Sequence, residues 1–325
     1  MQELKKRSGW KSSLVQAVVL SLSLGSAGCG VDAPAEPEPS TEEVAVSQAP
    51  ALANFSCPTT RSTVDRADGN TNYKVKFLYV LPSDGVDGAL DTNGALCRSV
   101  QAQYNWFTSQ TTNGAALRYD LSGSVLDIQF VRLTKTNAQM RGTGNTGDVN
   151  TGFAYVRDRI ERELKAMGLL NDTRKLYAVY YGGTSEWACG GAAWPPLLVG
   201  KVVALYLNGL PNGAVPCSAN PVGGSSTTPG YIEFAMLHET LHGLGVVADA
   251  APNEHSSGHV FDTARDLMYA PRPGTADPYW DIYSGAVVLD SGRNQYYSHG
   301  GTQLDLARSA FLNPLPANAL APPGW

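Results

Sequence analysis

This 325-residue chain has five histidines, and all of them follow residue 237. Two belong to the run HETLH, from His238 to His242, which is followed closely by Gly243 and Gly245. Positions i and i+4 of a helix share one face, with Cβ atoms about 5–6 Å apart, so two imidazoles at this spacing can hold one metal ion. Glu239, between them, then faces a water molecule on that metal. The motif predicts a metal-binding helix that ends at a glycine.

A third ligand must come from outside this motif, because catalytic zinc sites use three protein ligands and leave one position for water. Glu254 is the last glutamate of the chain and lies among turn-forming residues, which argues against a glutamate ligand on a second helix. His259 is the first candidate for the third ligand. The alternatives are His255, Asp249 and Asp262, of which Asp262 is also a candidate for orienting a ligand histidine.

Two further features follow the motif. Gly245 lies three residues after the second histidine, and residues 266–269 read DLMY. Together with the motif, they resemble the turning glycine and the Met-turn of the metzincin family of zinc peptidases. Ala248 stands where that family has its third histidine, so the resemblance implies a longer loop here before the third ligand. It also implies that Met268 forms a hydrophobic floor beneath the metal.

Residues 73–312 also resemble a largely uncharacterised family of exported bacterial H-E-x-x-H proteins. The shared features are an early strand that ends in Pro82–Gly85, a Gly-His pair at His259, and the late pairs Leu289-Asp290 and Tyr296-Tyr297. The resemblance implies an α+β fold of metzincin type. We therefore expect a twisted mixed sheet with packed helices, an active-site helix and a loop-rich C-terminal subdomain.

The N-terminus has the features of an export signal. Four basic residues lie within the first eleven positions, an apolar run extends from Leu14 to Leu24, and Ser26-Ala27-Gly28-Cys29 resembles a bacterial lipobox. We predict a lipoprotein-type signal peptide over residues 1–28 and lipidation of Cys29. Cleavage near Ala27 with release from the cell is the alternative.

Residues 29–56 are predicted to be a disordered tether, since they combine several prolines with five acidic residues and no basic one. The rest of the chain, residues 57–325, fits a single domain. We divide it into a sheet-and-helix part, 57–245, and a C-terminal subdomain, 246–325. The charge outside the tether is close to neutral, which argues against a nucleic-acid partner.

Four cysteines remain beyond Cys29, and an even number in an exported chain indicates two disulfides. Three pairings exist. We predict Cys57–Cys97 and Cys189–Cys217, because each pair falls within one local region. Metal ligation by these thiols is disfavoured, since their spacing contains no C-x-x-C pair.

Hydrophobic periodicity predicts an alternation of strands and helices that gives a mixed α/β sheet. The motif helix is expected to begin after Thr228, as its N-cap, and Pro229. The other predicted strands are 74–81, 124–133, 175–181 and 201–207, and the other predicted helices are 95–110, 152–168 and 302–311.

Two weaker candidates complete the set of site residues. A calcium ion is conceivable in the glycine-rich stretch 139–152, at Asn145 and Asp148, but a plain loop is the simpler interpretation. His299 could line the cleft, although an exposed position is the more usual one for a lone polar residue.

These features predict an exported zinc endopeptidase with one zinc ion, acting on a protein or peptide substrate as a monomer. The expected location is the outer or cell-surface membrane, contacted only through the lipid anchor, or the medium if the chain is released. The alternatives are a noncatalytic surface binding module on the same fold and a zinc amidase that acts on cell-wall material.

Overall fold

The structure is a computed structural model, and it describes residues 52–141, 149–186, 188–210, 215–255 and 258–325, with the backbone alone for 149–155. The predicted signal peptide, Cys29, nearly all of the tether and the calcium candidates Asn145 and Asp148 lie outside the described residues.

The described chain contains helices and strands of very unequal length. No helix in these parts of the chain is both long and apolar enough to cross a membrane. In chain order the elements are β1 (Lys74–Leu81), α1 (Ala95–Gln110), β2 (Ala116–Leu117), β3 (Leu121–Ser122), β4 (Val125–Leu126), β5 (Ile128–Arg132), α2 (Asn137–Arg141), α3 (Val149–Ala166), β6 (Lys175–Tyr181), β7 (Gly190–Trp194), β8 (Leu198–Tyr206), α4 (Tyr231–Gly243), β9 (Glu254–His255), β10 (His259–Val260) and β11 (Leu312–Asn313).

Five strands form one mixed sheet in the order β5-β1-β6-β8-β7. The first four run parallel, and β7 pairs antiparallel with β8 at one edge. This sheet with its helices confirms the predicted α+β class. The three short pairs β2–β11, β3–β4 and β9–β10 lie outside it.

Helices cover both faces of this sheet. Alternate residues of β1 enter different cores: Phe77 and Tyr79 pack on the side of α1 and α4, while Leu78 and Val80 pack on the side of α3. A parallel strand with both faces covered is apolar along most of its length rather than alternating. The larger core lies on the α1 and α4 side, so the motif helix is fixed between the sheet and the C-terminal part of the chain.

Several predicted elements are confirmed at their bounds, namely β1, α1 and β6. The predicted strand 124–133 is instead divided at Asp127, whose backbone N–H bonds to Asp120. The motif helix begins at Tyr231, two residues later than predicted. Its N-cap is Gly230, whose N–H donates to the Glu233 carboxylate at 2.9 Å.

The predicted helix over 302–311 is wrong, because only a single 3-10 turn forms there, from Leu306 to Arg308. The backbone beyond this turn bonds to distant segments instead. Ala310 N–H donates to Leu320, and the carbonyl of Phe311 accepts from Arg118 N–H. Tertiary hydrogen bonds therefore take the groups that a continuing helix would need.

Both predicted disulfides, Cys57–Cys97 and Cys189–Cys217, are confirmed in the structure. The first joins the N-terminal segment to α1. Residues just before this disulfide also pack on the domain, since Phe55 is buried and lies edge-to-face on Tyr104 at 5.8 Å between ring centroids. The last few residues of the predicted tether therefore belong to the folded domain.

Candidate metal centre

Helix α4 places His238 and His242 one turn apart on one buried face. The helix ends where it meets the sheet: a Cβ added to Gly243 would lie 2.7 Å from Val203 and 2.9 Å from Leu176. Gly245 then takes a left-handed φ of 77°, which turns the chain away. The glycines after the motif thus fix both the depth and the exit of the helix.

Three histidine nitrogens meet beside this helix. The Nε2 atom of His238 lies 3.0 Å from that of His242, and His259 Nε2 lies 3.2 Å from each of them. A tetrahedral zinc ion with Zn–N bonds of about 2.0–2.1 Å holds its nitrogen ligands about 3.3–3.4 Å apart. The donor set therefore fits zinc in both chemistry and spacing. It unites the motif with the first-ranked of the predicted third ligands.

The protonation of His238 follows from its other ring nitrogen. Nδ1 lies 2.7 Å from the carbonyl oxygen of Leu267, which can only accept, so Nδ1 carries the proton. Burial lowers the pKa of His238 to about 4, and it lowers the pKa of His242 well below its usual value, with a further contribution from the neighbouring histidines. Both imidazoles are neutral near pH 7, as metal ligands must be.

Glu239 lies on the same helix and is half-buried as a residue. Its carboxyl group contacts strand β7, where a Cβ added to Gly190 would lie 2.5 Å from Glu239 Oε1. A side chain at position 190 would displace the Glu239 carboxyl group from this position. Burial of the carboxyl group raises the pKa of Glu239 to about 8. A carboxyl group poised in this range can both accept and donate a proton.

Met268 is fully buried, and the turn in which it lies is organised by Asp266. This buried carboxylate accepts from Met268 N–H, from Tyr296 Oη–H and from Ser291 N–H, each at 2.8 Å. Burial, only partly offset by these hydrogen bonds, raises the pKa of Asp266 to about 7. Asp266 thus holds the turn whose Leu267 carbonyl orients His238.

Trp280 lies against the same ligand. Its ring centroid is 5.0 Å from that of His238, and its Nε1–H donates to the carbonyl of Asp266 at 2.9 Å. The Tyr269 hydroxyl does not face the histidine nitrogens, because it donates to the Pro278 carbonyl at 2.6 Å.

The alternative ligands lie apart from the three nitrogens. His255 pairs with His259 in the short β9–β10 ladder, but its Nε2 lies 2.8 Å from the Ala270 carbonyl. Asp249 is exposed, and the Asp262 carboxylate accepts from Ser291 and Gln295 side chains. His299 contacts its own loop, through the Leu304 carbonyl.

Sequence reasoning missed three residues that shape this site: Gly190, Asp266 as the organiser of the turn, and Trp280. A glycine pair in an apolar stretch was the signal available for Gly190. The other two act through partners that are distant in sequence, so local pattern gave no signal for them.

Comparisons with known proteins add little. No protein-family model matches the chain, and no curated protein sequence matches it. One solved structure, titled "Structure of a chaperone-substrate complex", is similar over 72% of this chain at 14% identity, with a TM-score of 0.28. The chain spans 33% of the length of that protein. A likeness of this degree carries no inference about fold or function.

Proposed function

We propose that this protein is a zinc-dependent endopeptidase. The observation that carries the proposal is the convergence of three histidine Nε2 atoms within 3.2 Å of one another, with the Glu239 carboxylate on the next position of the same helix. A structural zinc site is closed by four protein ligands, whereas three nitrogens and an adjacent carboxylate are typical of a hydrolytic site.

The chemistry divides between the ion and the chain. A zinc ion on these nitrogens would acidify a water molecule and polarise the carbonyl group that it attacks. Glu239 would accept the proton of that water and return it to the leaving amine. The Leu267 carbonyl, by binding Nδ1–H, keeps the His238 Nε2 lone pair directed at the metal position.

The edge strand β7 supports a peptide as the substrate. Among the described residues it pairs with β8 alone, and its residue Gly190 contacts the carboxyl group of Glu239. An extended peptide can add to such an edge through main-chain hydrogen bonds. A substrate paired with β7 would therefore pass beside the proposed base.

Export remains part of the proposal. Two disulfides, with Cys97 and Cys217 fully buried, favour folding in an oxidising compartment. They agree with the predicted signal peptide, and lipidation of Cys29 would keep the mature chain at a membrane surface.

The test uses the exported protein, its Glu239→Gln variant and, as a matched control, Glu163→Gln on the opposite side of the sheet. We expect one zinc ion per chain in all three by elemental analysis. Casein cleavage should fall by about 10²–10⁴-fold in Glu239→Gln alone, because general acid–base catalysis contributes about this much. Undiminished cleavage in Glu239→Gln would refute the proposed base, and a parent without zinc would refute the metal site. Zinc without cleavage would favour the binding module or the amidase.

A further inference from the structure

The loop between the second and third histidines begins and ends on one side chain, Trp194, at the end of strand β7. The indole Nε1–H donates to the Val246 carbonyl at 3.1 Å, close to where the loop leaves α4. At the other end, a Cβ added to Gly258 would lie 2.5 Å from the indole atoms Nε1 and Cε2. Both ends of the excursion therefore rest on the same ring, 52 residues before Val246 in sequence.

A glycine lies at or next to each of these two contacts, and its conformation requires glycine. Gly245 and Gly258 each have a φ of 77°, a conformation that other residues rarely adopt. A Cβ added to Gly245 would also lie 2.8 Å from the Pro195 carbonyl oxygen. The backbone thus approaches the Trp194–Pro195 corner closely at its departure and at its return.

The return contact directly precedes the third histidine. His259 follows Gly258, and the next residue, Val260, is fixed from the other side through its N–H bond to the Met268 carbonyl at 3.0 Å. A loop that is held at one end only places its ligand histidine in many positions. Metal binding must then restrict the loop to one position, and the lost conformational entropy weakens the binding. Trp194 supplies the upstream restraint and Val260 the downstream one.

We propose that Trp194 is a positioning residue for His259, which clamps the long loop and presents His259 Nε2 to the metal position. The inference rests on the proposed metal site. It explains how the chain accommodates a third ligand seventeen residues after His242 in sequence, although Ala248 occupies the nearer position.

The experiment measures zinc affinity by chelator competition in full-length Trp194→Ala and Trp194→Phe, with Trp106→Ala as the matched control. Trp106, on α1, packs edge-to-face on Phe234 of the motif helix α4, at 5.1 Å between ring centroids, but away from the loop. We expect affinity to fall about 10–100-fold in Trp194→Ala, as for other residues that orient metal ligands, and to change less than about twofold in Trp106→Ala. Trp194→Phe keeps one aromatic ring but loses the N–H donor and part of the indole face that Gly258 approaches, so its loss should lie between those of Trp106→Ala and Trp194→Ala. The visible spectrum of the cobalt-substituted protein should change for the Trp194 variants alone.

A double-mutant cycle separates positioning from general destabilisation. If Trp194 acts through His259, adding Trp194→Ala to His259→Ala should lower zinc affinity by no more than about twofold further. An equal loss in both backgrounds, or no loss in the single variant, would overturn the role of Trp194 while leaving the metal site intact. A parent that binds no zinc refutes the proposed metal site and this inference with it.

Discussion

Among the residues that the structure describes, two clusters gather metal-ligand groups within 4.8 Å of one another, and they differ in the charges that surround those groups. One is the histidine cluster of His238, His242 and His259. The other is an aspartate cluster, formed by Asp65, Asp120 and Asp127. Asp120 and Asp127 are fully buried, and the two histidines of the motif are nearly so, which means that burial does not distinguish the two clusters.

The aspartate cluster contains its own cations. Lys76 Nζ pairs with Asp127, lies 2.9 Å from Asp65 and 3.3 Å from Asp120. Lys175 Nζ lies 2.6 Å from Asp65 and 2.9 Å from Asp120. Two ammonium groups thus stand where a metal ion would stand.

The histidine cluster presents neutral donors instead, and burial keeps His238 and His242 neutral. Ligand geometry alone therefore does not identify a metal site. The neighbouring charges decide whether lysine ammonium groups of the protein or an external metal ion neutralises the cluster.

Removing an internal cation should have the largest effect. Lys76→Met keeps much of the side-chain volume but leaves buried Asp127 and Asp120 without their shared ammonium group. Breaking a buried ion pair costs about 3–5 kcal/mol. We expect a loss of about 3 kcal/mol, the lower end of that range, in the free energy of urea unfolding, because Arg66 still pairs with Asp127 and Lys175 with Asp120. Lys135→Met, at an exposed position on the chain, is the control and should change it by less than about 0.5 kcal/mol. A Lys76→Met protein as stable as the parent would mean that the ammonium group is not what holds the cluster together.

Removing the external cation should come second. A ligand that binds only the folded state at 100 times its dissociation constant stabilises it by about 2.7 kcal/mol, so chelation should lower the unfolding free energy of the zinc-loaded protein by about that amount. Asp65→Asn should show the same chelator effect as the parent, because the aspartate cluster binds no metal in our interpretation. His259→Ala should show a much smaller one. A chelator effect that disappears in Asp65→Asn would assign the ion to the wrong cluster.

The smallest expected effect is a loss of stability at low pH. Burial alone would raise the pKa of Asp65, but hydrogen bonds from Lys175 and Lys76 outweigh it, so the pKa lies below its usual 3.8. A lowered pKa stabilises the fold above about pH 4, and this contribution is lost as the pH falls further. Since the Asp65 side chain is 42% exposed, solvent screening limits the contribution to under about 1 kcal/mol.

Unfolding of the metal-free protein by urea at pH 7 and pH 3 measures this contribution. Asp65→Asn should be the less stable protein at pH 7, and the difference from the parent should shrink at pH 3. A difference that stays constant between the two pH values would exclude ionisation of Asp65 as its cause.

The central strands were predictable because each is an apolar run covered on both faces. Strand β6 and helix α1 have the bounds that periodicity predicts. Strand β7 could not be predicted, since its sequence Gly-Gly-Ala-Ala-Trp has little strand propensity. Its conformation depends on pairing with β8. Pairing across the chain also replaced the predicted helix at 302–311.

The site divides in the same way. His238, Glu239 and His242 follow from a spacing of four residues on one helix, which is a local property. His259 could only be ranked first among several ligands by its chemistry, because the loop before it is long. Its position beside the other histidines depends on the contact of Gly258 with Trp194 and on the bond from Val260 N–H to the Met268 carbonyl, and both contacts exist only in the folded chain.

The acceptor that orients His238 is the backbone carbonyl of Leu267, and a backbone atom has no codon of its own. A saturation scan would find at position 267 only the tolerance of a fully buried leucine, and would classify it as hydrophobic core. Sensitivity of metal binding should appear instead at Asp266 and Tyr296, whose side chains hold that stretch of backbone in place. In this protein a map of mutational effects would therefore locate the support of His238 at Asp266, one residue before Leu267, and at Tyr296, thirty residues after Asp266.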